Sequence, residues 1–87
     1  RYQNNPWRRL YHTPEWKALR LQVAKRDHWT CQRTGVLLIG ALNAPNSLIV
    51  HHKTPHRGDK ALFFDPLNCE AVSKKWHDTE GQKEDNQ

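Results

Sequence analysis

One short run constrains much of what can be built around it. Ser47-Leu48-Ile49-Val50 is strongly β-favouring and leads directly into two adjacent histidines, His51 and His52. Successive side chains of a strand point to opposite faces. One imidazole of the pair can therefore face a metal while the other faces elsewhere. Upstream lies a second apolar run, VLLIGAL at 36–42, separated from the first by Asn43-Ala44-Pro45-Asn46. Two such runs around a four-residue connection predict a β-hairpin.

The other elements announce themselves unequally. Thr13 is a good N-cap, Pro14 suits the first helical position and Glu15 favours the positive end of the helix dipole. Trp16, Leu19 and Val23 follow at helical spacing, which predicts a helix from Pro14 to Arg26. Residues 1–12 are basic and aromatic without a clean period, and are expected to wrap the domain as an arm anchored by Trp7, Leu10 and Tyr11. CQRTG at 31–35 reads as a tight turn or knuckle, KTPHRGDK at 53–60 as a polar loop, and Leu62-Phe63-Phe64 as a short returning strand. Asp65 and Pro66 form a second helix start, and no breaker follows before His77, so a last helix is expected to run to that residue. The domain proper is thus 13–78, and 79–87 is a polar tail expected to be disordered.

Strand, loop and helix can fold back to bring His77 beside His51 and His52. Asn68 has a constrained place in that arrangement. In one regular helix, nine residues at about 100° each would set Asn68 and His77 on opposite faces. Asn68 is therefore expected in the entry turn, bonding backwards to the histidine strand or the loop after it.

Composition narrows the class. With 87 residues, of which 36% are hydrophobic, the chain makes one small domain with a thin core. No apolar run approaches the ~20 residues of a membrane span, so no membrane partner is expected. Two cysteines, Cys31 and Cys69, are too few for a disulfide scaffold and read as free thiols in a reducing, cytoplasmic setting. Residues 1–60 carry eleven Lys/Arg against three acids, whereas 61–87 carry three against six. A basic body of this kind points to a polyanion as partner.

The segments VHHKTPHRGD and LFFDPLNCEAVSKKWHD, with WRRLYHTPEWKALRLQVAKRDHWTCQRTG upstream, resemble the HNH endonucleases of bacteria and phages over roughly residues 7–78. The resemblance implies an α+β domain, a ββα-metal core preceded by an N-terminal helix. It implies that His51 and His77 hold one divalent metal ion, that His52 is the general base and that Asn68 is the structural asparagine. It implies DNA as substrate, cut or nicked; little sequence preference is expected because phosphate contacts carry no base information and 87 residues leave little room for a reading module. Arg57, His56, Lys53, Arg8 and Arg9 are the candidate phosphate contacts.

Two imidazole ligands favour a transition metal such as Zn, Mn, Ni or Co over Mg. Relatives commonly carry two Cys-x-x-Cys knuckles for a structural zinc. Here those positions read Cys31, Thr34, Ser73 and Trp76, so no structural zinc is expected and Trp76 is expected to pack in its place. The alternative is a degenerate module that binds metal and DNA without cutting, an adaptor in a larger phage or bacterial assembly such as DNA packaging. A small transcription regulator would need a turn-helix pair for the major groove, which the pattern lacks.

Overall fold

The structure is a computed structural model that describes residues 6–81. Expectations for residues 1–5 and 82–87 lie outside the described residues. Within the expected arm, Pro6–His12 form a 3-10 helix. Helix α1 spans Pro14–Arg26, with the Thr13 hydroxyl accepting from the Trp16 N–H and Pro14 at the first position. These are the bounds that the sequence predicts. Trp16, Leu19, Val23 and Ala24 are its buried residues.

The hairpin is built from different runs than expected. Strand β1, Leu48–His52, pairs antiparallel with β2, Cys69–Ser73, in a two-stranded sheet. His51 stands opposite Glu70 and His52 opposite Cys69. The 36–42 run is not a strand. Val36, Leu37, Ile39 and Leu42 are exposed, only Leu38 joins the core, and Leu37 makes a single bridge to Thr30. The physical reason lies in burial: all five residues of β2 are buried, so pairing with β1 places Cys69, Ala71 and Val72 in the core. VLLIGAL has no such interior to enter.

The long last helix is likewise corrected. Asp65 and Pro66 do start a helical turn, with the Asp65 carboxylate accepting from Leu67 N–H, but it ends at Asn68. A second cap then appears at Ser73, whose hydroxyl accepts from Trp76 N–H and opens α3, Lys74–Trp76. The helical path continues as a wider π-type turn, His77–Gly81, with Gly81 buried. Residues 62–64 are not a strand either. Helix α2, Lys60–Phe63, is capped by Asp59 and buries Phe63 completely. The absence of a breaker permits a helix without selecting one, and tertiary pairing decides.

The sheet is covered on both faces. Leu48, Val50 and His52 share one face of β1, and Trp16 of α1 stacks on His52 there. His51 lies on the other face, against Trp76 and His77. The result is an α+β domain in which ββα follows an N-terminal helix. Among the described residues, no helix is long and apolar enough to cross a membrane.

Candidate functional site

A cavity of about 480 Å³ runs along the edge of β1 that does not pair with β2. Because it follows an edge, residues of both faces reach it. His51, His52 and His77 all line it, together with His56 and Arg57 of the loop. The strand's alternation thus delivers two imidazoles to one space from opposite sides.

His51 is almost fully buried, and its Nδ1 is enclosed by protein. Its ring centroid lies 5.7 Å from that of His77. Two imidazoles sharing a cation, with metal–nitrogen bonds of about 2.1 Å, need roughly that separation. The donor set therefore fits a borderline divalent ion. Among the described residues no group of three or more His, Cys, Asp or Glu side chains converges on one point.

His52 is held differently. Its ring stacks on Trp16 at 5.4 Å and lies against Phe63 at 5.0 Å. Its Nε2 is 3.0 Å from the Phe63 carbonyl oxygen. A carbonyl only accepts, so Nε2 carries the proton and, in the neutral ring, Nδ1 carries the lone pair. Packing fixes the plane and the hydrogen bond fixes the tautomer. His56, 4.8 Å from His52, is fixed by the same logic. Its Nδ1 accepts from Gly58 N–H, so its Nε2–H donates to the Tyr11 hydroxyl. In that hydrogen-bonded state His56 is neutral and sets no like charge beside His52.

Asn68 ends the Pro66–Asn68 turn and bonds back to the loop after β1, the place expected for it, although β2 and not a continuous helix separates it from His77. Its Oδ1 accepts from Thr54 N–H at 2.8 Å, and its Nδ2 donates to the carbonyls of Thr54 and Leu62. The Asn68 carbonyl also accepts from Lys53 N–H. One buried side chain thus ties the strand end to the segment that presents the Phe63 carbonyl to His52. Asn68→Ala should remove three part-buried hydrogen bonds and cost about 2–3 kcal/mol, read as a lowered urea midpoint with unchanged slope. An unshifted midpoint would contradict this account of the loop.

The loop that displays Arg57 is unusual in its backbone. Arg57 and Gly58 are both left-handed, with φ of 50° and 88°. A Cβ at Gly58 would meet the Trp7 ring at 3.0 Å, so glycine lets Trp7 seat on the turn. Arg8, Arg9 and Lys53 are exposed and do not line the cavity. Tyr11, Trp16 and Arg20 line it without having been singled out as site residues. The edge-following cavity that collects them is a tertiary feature, and no sequence spacing signals it.

Behind the site, the four knuckle positions do meet. Burial alone would raise the Cys31 thiol, but hydrogen bonds from the Thr34 hydroxyl and from the backbone of Arg33, Ser73 and Thr34 bring it below its usual range. Trp76 lies with Arg33 over its ring at 4.6 Å and His51 against it at 5.1 Å. Arg33 in turn pairs with buried Glu70 at 2.6 Å. Cys69 sits apart from this group, beside the Phe63 carbonyl, and burial pushes its thiol up to about 11.

No protein-family model matches the chain, and no curated protein matches it in sequence. Among solved structures it is similar to the HNH endonuclease of deep-sea thermophilic bacteriophage GVE2, crystallised with manganese ion. The TM-score is 0.71 at 24% identity, over 97% of this chain and 87% of that one. Together with β1, β2 and the helix that carries His77, this likeness shows that the chain has the fold of an HNH endonuclease.

Proposed function

We propose that the protein is a divalent-metal-dependent endonuclease that hydrolyses DNA phosphodiester bonds with little sequence preference. The observation that carries this reading is the pairing of two differently held histidine sets in one cavity. His51 and His77 stand as a two-imidazole ligand pair, while His52 is oriented by the Phe63 carbonyl with its lone pair on Nδ1. That division is what hydrolysis requires: a cation site for the phosphate and a separate base for water.

His51 and His77 would hold the ion, and when bound it would polarise the scissile phosphate and offset charge on the leaving 3′-oxygen. His52 takes the proton from the attacking water at Nδ1. Trp16 and Phe63 keep its ring from turning, and the Phe63 carbonyl stabilises the proton already on Nε2. Arg57 supplies a positive charge on the cavity wall for phosphate. Phosphate contacts hold substrate without base information, which accounts for weak sequence preference. The products would be 5′-phosphate and 3′-hydroxyl ends. The non-cutting adaptor reading calls for a His52 packed away; His52 is buried against Trp16 and Phe63 yet borders the cavity, and the cleavage assay separates the two readings.

The test is plasmid cleavage by metal-stripped protein re-supplied with Mg, Mn, Zn or Ni in turn, alongside calorimetric titration of the metal. His77→Ala should weaken metal binding by at least about tenfold and lose the thermal stabilisation that metal gives the wild type. Wild-type protein that binds metal and DNA but leaves plasmid intact with every ion would favour the adaptor. Wild type that binds no divalent ion would overturn the reading.

A further inference from the structure

Six cations lie on α1 and the preceding 3-10 helix: Arg8, Arg9, Lys17, Arg20, Lys25 and Arg26. Of these, only Arg20 lines the cavity along β1. Arg26 is engaged elsewhere, with Asp27 and with the carbonyls of Pro66 and Cys69. Arg20 donates once, from Nη2 to the Leu48 carbonyl at 3.1 Å. Among the described residues no carboxylate pairs with it. A guanidinium has five N–H donors, so one bond leaves most of its fork for a ligand.

Its position along the strand gives the inference its content. Leu48 is the first residue of β1 and His52 the last. Four steps of about 3.3 Å place Arg20's anchor roughly 13 Å along the strand from His52. Every residue of β1 lines the cavity, as do Arg20, anchored at the strand's first residue, and Arg57, from the loop that follows its last. A nucleic-acid strand advances about 3.4 Å per nucleotide along a duplex axis. Arg20 therefore reaches a phosphate roughly two to four nucleotides from the one at the histidines.

Resting on the nuclease reading above, we propose that Arg20 is the docking residue for a backbone phosphate that flanks the scissile one. It and Arg57 hold one strand along the free edge of β1. Arg20 takes no part in bond breaking. The Leu48 carbonyl pre-orients its fork, so little side-chain freedom is lost when phosphate binds.

The experiment measures binding of a short DNA duplex to metal-free protein in chelator, across a series of salt concentrations. It compares wild type, Arg20→Ala, Arg20→Lys and, as a control cation of α1 away from the cavity, Lys17→Ala. Arg20→Ala should bind about tenfold more weakly at low salt and lower the slope of log affinity against log salt by about one. Arg20→Lys should keep the slope, and Lys17→Ala should match wild type.

In cleavage, Arg20→Ala should raise KM about five- to tenfold with kcat within about twofold, as expected for uniform binding. A structural role would lower the melting temperature without changing the salt slope of the folded protein. Full wild-type slope in Arg20→Ala, with a reduced slope in Arg57→Ala, would overturn the assignment while leaving the nuclease reading intact. Wild type that binds no duplex would overturn both.

Discussion

Replacing His52 with Ala should reduce cleavage about 10²- to 10⁴-fold at saturating metal, while metal and DNA binding stay near wild type. The expectation follows from how the ring is held. Its Nε2 is committed to the Phe63 carbonyl, and its faces are committed to Trp16 and Phe63. What the side chain brings to the proposed reaction is the Nδ1 lone pair. General-base help of that size corresponds to about 3–5 kcal/mol of barrier. Because His52 stands apart from the His51–His77 pair, added metal should not rescue the variant. His51→Ala should behave oppositely, with weakened metal affinity and partial rescue at high metal. Loss of metal in His52→Ala with retention in His51→Ala would reverse the two assignments. Unaltered cleavage in both would remove the basis of the nuclease reading.

The same packing makes a subtler demand. Trp16 reaches His52 from α1, so helix and imidazole are coupled through one stacked pair. Tyr11 lies edge-on to both Trp16 and His56 and is 4.8 Å from Phe63. The segment that reads in sequence as an arm is therefore part of the wall around His52 and His56. Its aromatic residues are at once core and site, which is economical in a domain with so little interior.

How much of this is legible in the sequence differs by element, for physical reasons. Helix α1 is fully legible because its start is written in local chemistry, Thr13 then Pro14 then Glu15, and its buried face recurs at 3.6 residues. The entry-turn place of Asn68 is legible from the Asp65-Pro66 start signal, whereas the helix expected to join it to His77 is replaced by β2. The partner of β1 is not legible. CEAVS has no period that distinguishes a five-residue buried strand from a helical segment, and VLLIGAL competes with it on propensity. Only the burial available to each decides, and that is a property of the assembled core.

The histidines are legible as a set because a strand end and a later helix are enough to suggest that they meet. Arg20 is not, because one arginine among six cations is distinguished only by a carbonyl four residues before His52 on a neighbouring strand. The Ser73 cap is visible in hindsight as a hydroxyl three residues before Trp76, the same relation as Thr13 to Trp16.

Asp27 is where the fold should prove most fragile. It closes α1, is buried, and receives a bidentate grip from Arg26 at 2.9 and 3.0 Å. Its Oδ2 also accepts from Ala71 N–H of β2 at 2.8 Å. Arg26 meanwhile reaches the carbonyls of Pro66 and Cys69, so one ion pair ties the helix end to the strand that carries the sheet. Asp27→Ala leaves the buried Ala71 N–H without its acceptor and the Arg26 guanidinium without its anion. The cost should be about 2–4 kcal/mol. At about 4–8 °C per kcal/mol for a domain of this size, the melting temperature should fall by roughly 10–25 °C.

The carboxylate also sets an acid limit. Burial alone would raise its pKa, but the Arg26 hydrogen bonds, the Ala71 N–H and the charges of Arg26 and Lys53 outweigh burial and hold it below the usual carboxylate range. A group depressed in the folded state stabilises fully above its unfolded value. That contribution is lost as pH falls from the ordinary aspartate range through the lower folded value. The wild type should therefore lose stability as pH drops below about 4, and Asp27→Asn should flatten that part of the curve while lowering stability at neutral pH. Chemical denaturation from pH 7 to pH 2 reads both effects. Parallel curves for wild type and Asp27→Asn would show that the acid sensitivity belongs to other carboxylates.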